Sequence, residues 1–524
     1  MSREWWGLGA VLAATFMTQV DGFVVNVASP SIQRDLGAGF DQVQFVGAAY
    51  VIAFGALLVT GARLGDRVGH RGVFLWGVAG FTATSLLCGV APSADLLIAA
   101  RFLQGATAAF MAPQVLAIIR ATVPDEERRA TAISVYGVVI GLGVICGIAG
   151  GGVLVDLDLF GWGWRPVLLV NVPVGLGILA LGRLLPGAPH RVLPGGAAGA
   201  PGAVAGAPGA AAGAPHKLDL VGAALTSVAL PALLVPLVFD GPWWLWLGLP
   251  VAAVLGVVLV VQQRALHRAG GEPLFPPRVV TVPGMRLSLL TVLSLFATNS
   301  GLFLVFTYYL QTGLGLSPLT AGLVFVPLGF GFSLGSALNK RLGRRVAWPV
   351  PAIGCGLLSA VLVGAALATR LPSSAQPAAL VVMIALAGFG QGLVVAPLVA
   401  GILSRVRPGE AGAASGMATT VTQFGLALGV AVVGAFYRAV LGATPGDAGV
   451  PFADHASAFT AVAVFLACTA GMTGLLGYRL HRLPAGLRPP DPLSHGTPTK
   501  SGEAVAEPEA AASVVASSTP RRTG

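Results

Sequence analysis

The sequence GARLGDRVGHR, residues 61–71, joins two long apolar segments at residues 43–62 and 73–91. Its glycines permit a tight turn beside neighbouring helices. Asp66 is placed to cap the second segment, because a carboxylate accepts hydrogen bonds from the free N–H groups at a helix start. An ordinary loop on the cytoplasmic side of a membrane is also rich in arginine. The stretch therefore predicts two membrane helices that are joined at the cytoplasmic face.

The composition places the chain in a membrane rather than in water. Of its 524 residues, 55% are hydrophobic and only 10% are charged, and the mean hydropathy is +0.82. A soluble globular protein carries about 25% charged residues, so the soluble classes are excluded. The 73 glycines and 37 prolines lie mostly inside long apolar runs, where glycine lets membrane helices pack closely. The sequence therefore predicts an all-α integral membrane protein.

Fourteen segments are long and apolar enough to cross a bilayer. A membrane-crossing helix needs about 20 mostly apolar residues, and only helices satisfy the backbone of such continuous segments in lipid. The approximate limits are 5–29, 43–62, 73–91, 95–118, 130–155, 166–185, 218–239, 243–262, 288–311, 318–339, 346–368, 378–403, 412–438 and 456–478. The first segment is too long for a cleaved signal peptide, so it is predicted to remain as a helix.

The basic residues predict the orientation. If both termini are cytoplasmic, four basic residues lie outside and Arg101 lies within a span, which leaves 26 (31 − 4 − 1) on the cytoplasmic side. The same partition puts eight acidic residues outside and Asp21 within a span, which leaves 12 (21 − 8 − 1) inside. This bias obeys the positive-inside rule. The net charge of +10 therefore reflects basic residues placed in the cytoplasmic loops, and we expect no nucleic-acid partner.

The spans fall into groups of six, two and six. This pattern predicts two six-helix bundles with an inserted helical pair, and transporters of this kind hold substrate between their halves near the bilayer midplane. The predicted boundaries are 1–186 for the N-terminal bundle, 187–217 for a Gly/Ala/Pro-rich cytoplasmic linker, 218–262 for the inserted pair, 263–287 for a cytoplasmic loop, 288–480 for the C-terminal bundle and 481–524 for a disordered tail.

Residues 61–71 are similar to the loop signature G-x-L-[AG]-D-R-x-G-R-[KR] of the major facilitator superfamily, and they lie in the same loop of that topology. The resemblance implies the major facilitator fold. It also implies that this loop is a conformational latch and not a substrate site. The residues to which that role is carried over are Gly61, Gly65, Asp66, Arg67, Gly69 and Arg71.

Four further motifs resemble the fourteen-helix drug:proton antiporter branch of that superfamily. Residues 21–30 read DGFVVNVASP, similar to D-x-T-x-V-N-V-A-L-P, and residues 101–105 read RFLQG, which matches R-x-x-Q-G. Residues 164–175, at the entry to span six, begin with WR and end with NVPVG, which is typical of the branch. The fifth span is similar to the antiporter glycine motif through Gly143, Gly147, Gly150 and Gly151.

The chain also departs from these patterns. Ile148 stands where the antiporter motif usually has proline, and Phe23 and Ser29 replace the usual Thr and Leu of the first motif. The resemblance still implies a proton-coupled exporter that draws on the proton gradient and needs no cofactor. We expect a monomer in the cell membrane whose partners are a small-molecule substrate, protons and the lipid bilayer.

Two ionisable residues are predicted within the bilayer, Asp21 in the first span and Arg101 in the fourth. Such residues are costly to insert, rare and usually functional. Burial disfavours a charged carboxylate, so Asp21 is a candidate to exchange a proton near neutrality or to bind a cationic substrate. The alternatives are a structural hydrogen-bonding role for Asp21 and a packing role for Arg101. Asn26 and Gln104, in the same two spans, complete the predicted proton-coupling and substrate group.

Other polar and aromatic residues in the C-terminal half are candidates to line a pocket. A cavity with aromatic walls and a few polar groups suits a flat lipophilic ligand. The candidates are Asn299, Gln391, Gln423, Phe296, Phe303 and Tyr308. Helix packing explains each of these residues equally well.

The sequence argues against an enzyme or a metal site. All seven histidines lie outside the predicted spans, and no metal-binding spacing or phosphate-binding loop is present. The leading hypothesis is a proton-coupled antiporter that exports small hydrophobic or cationic compounds by alternating access. One alternative keeps the fold and makes it an importer or facilitator of a specific metabolite. The other is a non-transporting membrane enzyme or receptor.

Overall fold

The computed structural model describes residues 3–123, 125–182, 219–239, 242–271, 273–345, 349–406, 411–443, 445 and 449–482. Within these ranges all regular structure is helical and no strand occurs. Thirteen of the described helices are long and apolar enough to cross a membrane, and a shorter apolar helix covers Pro166–Gly182. The predicted all-α membrane fold is confirmed, and the described helices correspond to the fourteen predicted spans.

The first six spans form helices α1 to α6. Their bounds are Arg3–Leu36 for α1, Phe40–Val68 for α2, His70–Gly89 for α3, Ala94–Thr122 for α4, Glu126–Asp156 for α5 and Asn171–Gly182 for α6. A single helical turn, Pro166–Leu169, precedes α6. Most of these helices extend beyond the apolar segment that predicts them, because polar residues continue the helix past the hydrocarbon region.

The remaining eight spans form helices α7 to α14. Their bounds are Leu220–Val238 for α7, Gly248–Arg268 for α8, Met285–Tyr308 for α9, Pro318–Arg345 for α10, Val350–Ala368 for α11, Gln376–Leu403 for α12, Ala411–Leu441 for α13 and Phe452–Arg482 for α14. A 3-10 segment, Trp243–Leu247, leads into α8, and a π-helical turn, Tyr309–Gly313, ends α9.

The largest boundary difference concerns the predicted loop at residues 263–287. Helix α8 continues to Arg268, past the predicted end of its span, and a short helix covers Pro277–Val280 inside the same loop. Gln and Arg are good helix formers, so α8 does not stop where its apolar run stops. The predicted linker at 187–217 and the tail beyond residue 482 lie outside the described residues.

Glycines set the closest helix contacts. A Cβ atom at Gly61 or Gly105 would collide with the backbone of the facing helix in the α2–α4 pair, and one at Gly331 or Gly388 would do so in the α10–α12 pair. These are the two most extensive helix contacts of the described structure. Without a hydrophobic force between helices in lipid, such close backbone approach is a main source of association.

The inserted pair lies against the seam between the two halves. Leu234 and Val238 of α7 form one buried apolar cluster with residues of α2 and α13. Arg438 of α13 donates a hydrogen bond from Nη1 to the Val238 carbonyl at 2.9 Å. Helix α8 buries little beyond Gln263, so its apolar surface is left for lipid. Helix α7 therefore contacts both halves, although its sequence does not indicate this.

Candidate functional site

The two ionisable residues within the spans form one buried ion pair. Arg101 Nη1 lies 2.6 Å from Asp21 Oδ2, and the two residues are 1% and 0% exposed. The other oxygen of Asp21, Oδ1, accepts hydrogen bonds from Gln104 Nε2 at 2.9 Å and from Asn171 Nδ2 at 2.8 Å. The carboxylate of α1 is thus held by side chains of two other helices, α4 and α6, and is fully buried.

The guanidinium of Arg101 has further partners besides Asp21. Its Nε donates to the Val46 carbonyl at 3.4 Å and its Nη1 to Gln104 Oε1 at 2.7 Å. Its Cζ lies 4.5 Å from the ring centroid of Tyr50, within the range of a cation–π contact. Gln104 in turn donates to Ser85 Oγ at 2.7 Å. Contacts of this kind offset part of the desolvation cost of a buried pair.

The structure brings together three of the four residues predicted as the proton-coupling and substrate group. Asp21, Arg101 and Gln104 share one network, whereas Asn26 lies on the wall of the large cavity described below. No sequence motif pointed to Tyr50 as a member of this network. Asn171 belongs to a motif noted in the sequence, but its contact with Asp21 depends on how α6 packs.

A cavity of about 1100 Å³ lies between the two halves. It reaches the end of the bundle that carries residues 61–71, here called the motif end, where residues 62, 63 and 66 and the loop after α8 form its rim. Its aromatic lining consists of Phe23, Tyr50, Phe54, Tyr136, Phe296 and Phe303. Its uncharged polar lining includes Thr18, Gln19, Asn26, Ser300, Thr419 and Gln423.

The predicted pocket-lining set is partly corrected. Phe296, Phe303 and Gln423 lie on the cavity wall, as expected of lining residues. Asn299, Gln391 and Tyr308 are not among the lining residues, so the prediction that they line this cavity is wrong. The rotation of each helix about its axis decides which residues face the cavity. Tyr308 instead contacts Gln33 of α1 and Phe40 of α2, and Gln391 is buried.

The end of the bundle opposite the motif end is closed. Gln33 Nε2 donates to the Pro445 carbonyl at 2.7 Å, and the Tyr308 hydroxyl donates to Gln33 Oε1 at 3.1 Å. Gln311 Nε2, in the π-helical turn, donates to the Val27 carbonyl at 2.9 Å. These contacts tie α1 to α9 and to the segment after α13, so the cavity opens at the motif end and is closed at the other.

Phe23 and Phe303 also contribute to the closed end, at the point where it borders the cavity. Their ring centroids are 5.6 Å apart with an angle of 69° between the planes. This edge-to-face arrangement joins α1 of one half to α9 of the other. Tyr308, predicted as a lining residue, therefore acts in the closed end, where its ring also packs edge-on against Phe40 at 4.8 Å.

The loop at residues 61–71 has a different geometry from the one predicted. Asp66 lies in the last turn of α2 and does not cap α3, whose cap residue Gly69 has a φ of 99° and no side-chain hydrogen bond. The exposed Asp66 carboxylate instead lies 3.6 Å from His70 Nε2. The capping prediction is wrong because α2 continues through Asp66, which leaves only Gly69 to make the turn.

Gln114 of α4 fastens this loop. Its Nε2 donates to the Gly61 carbonyl at 2.8 Å, and its Oε1 lies 2.8 Å from His70 Nδ1. A Cβ at Gly65 would collide with the Gln114 side chain. The glycine spacing of the motif therefore provides room for a polar side chain from the neighbouring helix.

Three of the four glycines of the antiporter-like motif face α1. A Cβ at Gly143 would meet Gln19, one at Gly147 would lie 2.8 Å from the Val20 carbonyl oxygen, and one at Gly151 would lie 2.6 Å from Val24. Gly150 has open space at its Cβ position. Gly150 therefore takes no part in the contact between α5 and α1.

Among the described histidines, all predicted to lie outside the spans, one is buried against a neighbouring helix. His455 is buried in the first turn of α14, with its Nδ1 3.3 Å from the Tyr437 hydroxyl. The apolar window that defined the last span began just after this residue, so its burial against α13 could not be anticipated.

A second polar cluster connects the inserted pair to the loop that follows it. Asp219, at the start of α7, accepts hydrogen bonds from Gln262 and Gln263 of α8 at 2.8 and 2.5 Å. It also accepts from the backbone N–H of Gly222 at 2.8 Å and of Leu274 at 3.0 Å. Asp219 therefore holds three segments of chain together at the motif end.

The loop held by Asp219 forms part of the cavity rim. Residues 270, 271, 273, 274 and 276 belong to the cavity lining. Arg63 of α2 donates a hydrogen bond from Nη2 to the Pro273 carbonyl at 3.1 Å. The loop is thus attached at neighbouring residues both to the inserted pair and to the N-terminal half.

Replacing Asp219 with asparagine should loosen this loop. Burial alone would raise the pKa of Asp219, but hydrogen bonds from Gln263, Gly222, Leu274 and Gln262 outweigh it and keep the pKa below its ordinary value. The charged form is the stabilised one, so its contribution is present at neutral pH and lost as the pH falls through the lowered pKa. Hydrogen bonds to charged groups contribute about 1.5–3 kcal/mol each, so deuterium exchange across the loop should accelerate roughly tenfold or more.

Hydrogen–deuterium exchange with mass spectrometry of peptides covering residues 269–284 measures this effect. The matched control is Asp95→Asn, since Asp95 is an exposed carboxylate in the first turn of α4. Unchanged exchange in the Asp219 variant at pH 7 would contradict the attachment role.

Comparison with known proteins places these features in a family context. The Major Facilitator Superfamily profile matches residues 11–430. The probable actinorhodin transporter of Streptomyces coelicolor is 36% identical over 84% of this chain and 74% of its own length. The puromycin resistance protein pur8 of Streptomyces alboniger is 38% identical over 82% of this chain and 81% of its own.

One further relative and one solved structure are similar over nearly their whole length. The cephamycin export protein CmcT of Amycolatopsis lactamdurans is 34% identical over 91% of this chain and 94% of its own. A bacterial homologue of the human lysosomal transporter Spinster, in an inward-facing and unoccupied conformation, covers 92% of this chain and 98% of its own with a TM-score of 0.64. Its sequence identity is 18%, so the likeness concerns the fold alone.

Proposed function

This chain belongs to the Major Facilitator Superfamily, and from that premise we propose that it exports small, largely hydrophobic compounds by proton-coupled antiport. The observation that carries the proposal is the 1100 Å³ cavity between the halves, open at one end and closed at the other. Alternating access requires a central cavity of this kind. Curated relatives named as antibiotic transporters, resistance proteins and efflux pumps support export as the direction.

The distribution of basic residues predicts how the protein is oriented in the membrane. The excess of basic residues in the loops predicts that both termini and residues 61–71 face the cytoplasm. The cavity is then open to the cytoplasm, which is the side from which an exporter collects its substrate. We propose that the protein lies in the cell membrane. We also propose that it is a monomeric transporter with no enzymatic activity, no cofactor and no nucleic-acid partner.

Asp21 is the proposed proton carrier. In its charged form it neutralises Arg101 at 2.6 Å and accepts hydrogen bonds from Gln104 and Asn171. A proton on the carboxylate leaves the Arg101 charge without its counter-ion, so the network has to rearrange. Arg101 also contacts the carbonyl of Val46 and the ring of Tyr50, and Tyr50 lies on the cavity wall. Protonation of Asp21 therefore changes the contacts of Arg101 with Tyr50, a residue of the cavity wall.

The loop at residues 61–71 is the proposed latch. Its Arg63 and the Gln114 of α4 fasten the motif end through the Pro273 and Gly61 carbonyls. The contact between Arg63 and Pro273 lies at the open rim, where the two halves must approach each other when the cavity turns outward. The loop therefore regulates the conformational change and does not bind the substrate.

Transport by purified protein in liposomes tests the proposal. A fluorescent substrate should move against its gradient only while a proton gradient is present, and the movement should stop when a protonophore dissipates that gradient. Protein-free liposomes are the control for passive leakage. Movement that ignores the proton gradient would favour a facilitator, and chemical modification of a lipid without any transport would favour an enzyme.

A further inference from the structure

The membrane-embedded part of the cavity carries no charge among the described residues. The ionisable groups in its lining, Arg63, Asp66, His267 and Arg278, all lie at the motif end. Asp21 is not part of the lining, is fully buried and is neutralised by Arg101. A ligand that enters the cavity beyond its rim therefore meets no net charge.

An organic cation would lack a counter-charge there. Removing a cation from water is costly unless a carboxylate or another strong acceptor replaces the water. An aromatic ring can supply part of that stabilisation through its face. The face of Tyr50, however, is already in contact with the Arg101 guanidinium at 4.5 Å. A second cation against this ring would be repelled by Arg101.

The aromatic residues are arranged to hold a flat ring system. Tyr50 and Phe54 on α2 have parallel planes, with centroids 6.0 Å apart and an interplanar angle of 4°. Phe296 and Phe303 of α9 provide aromatic surface from the other half. Aromatic rings associate by offset stacking and edge-to-face contact, so a flat ligand between these walls contacts both halves.

The remaining polar groups are neutral hydrogen-bonding partners. Asn26 of α1 and Gln423 of α13 present amides on the cavity wall, and Ser300 of α9 presents a hydroxyl. Amides and hydroxyls both donate and accept hydrogen bonds, which suits carbonyl and hydroxyl substituents of a ligand. On the proposed export function, we infer that the transported compounds are uncharged, flat aromatic molecules that carry such substituents, and that organic cations are excluded.

Three flat dyes of similar size separate the charge classes. Nile red is neutral, ethidium is a permanent cation and fluorescein is an anion at pH 7.5. Gradient-driven efflux of each dye is measured in liposomes that contain the purified full-length chain. The wild type should transport Nile red at least about tenfold faster than either charged dye, because a tenfold preference corresponds to the loss of one favourable contact.

A charge variant tests the specificity directly. Gln423→Glu places a carboxylate on the cavity wall with little change in shape, and it should raise ethidium efflux by about tenfold or more. Gln423→Met, of similar size but uncharged, is the matched control and should not raise it. Wild-type efflux of ethidium or fluorescein at the rate of Nile red, or a Glu variant that leaves ethidium efflux unchanged, would overturn the inference. Failure of all proteins to couple any dye to the proton gradient would instead count against the export proposal.

Discussion

Asp21→Asn is expected to abolish gradient-driven export, with a loss of at least about 100-fold in transport rate. Asparagine keeps an oxygen that can accept from Gln104 and Asn171, but it cannot take up or release a proton. It also leaves Arg101 buried without a counter-charge, which costs about 3–5 kcal/mol in comparable buried pairs. Efflux from proteoliposomes measures the first effect, and thermal unfolding in detergent measures the second.

A double variant separates the two effects. Asp21→Asn combined with Arg101→Gln removes both charges, so the penalty for an unpaired charge disappears and stability should recover toward the wild type. Export should remain lost, because no group that carries a proton is restored. If the double variant exports with normal proton coupling, Asp21 is a structural residue and another group carries the proton.

Gly147→Ala should cause a clear loss of stability at the contact between α5 and α1. The new Cβ would lie 2.8 Å from the Val20 carbonyl oxygen and 3.1 Å from the Val20 Cα, so the α1 backbone must move. Overpacking of this kind costs about 1–3 kcal/mol. Because Asp21 follows Val20 directly, the displacement should also disturb its ion pair, and we expect export to fall at least about tenfold. Thermal unfolding and dye efflux measure the two losses.

Gly150→Ala is the matched control for this change. Gly150 lies on the same helix, only three residues away, and its Cβ position has open space. Alanine is the better helix former by about 1 kcal/mol, so this variant should be as stable as the wild type or more so. Equal losses for the two variants would show that α5 tolerates no change at either face and would refute the packing argument.

The sequence was sufficient for those features that depend on local composition. The number and approximate position of the spans follow from segment length and hydropathy, because each apolar segment partitions into lipid largely on its own. The same reasoning singled out Asp21 and Arg101 as the ionisable residues within the spans. It also recognised the glycine series of α5, three members of which lie at the contact with α1.

Which side chains meet was decided only by the tertiary structure. Asp21 contacts Arg101 and Asn171 across 80 and 150 residues of sequence, and Asp219 reaches Leu274 across 55. In helices that are apolar on all sides, the sequence contains no stripe that tells which face points to the core. The rotation of each helix about its axis therefore depends on close packing with its neighbours. That rotation placed Phe303 and Gln423 on the cavity wall, left Asn299, Gln391 and Tyr308 outside its lining, and buried Asp21 beside Arg101.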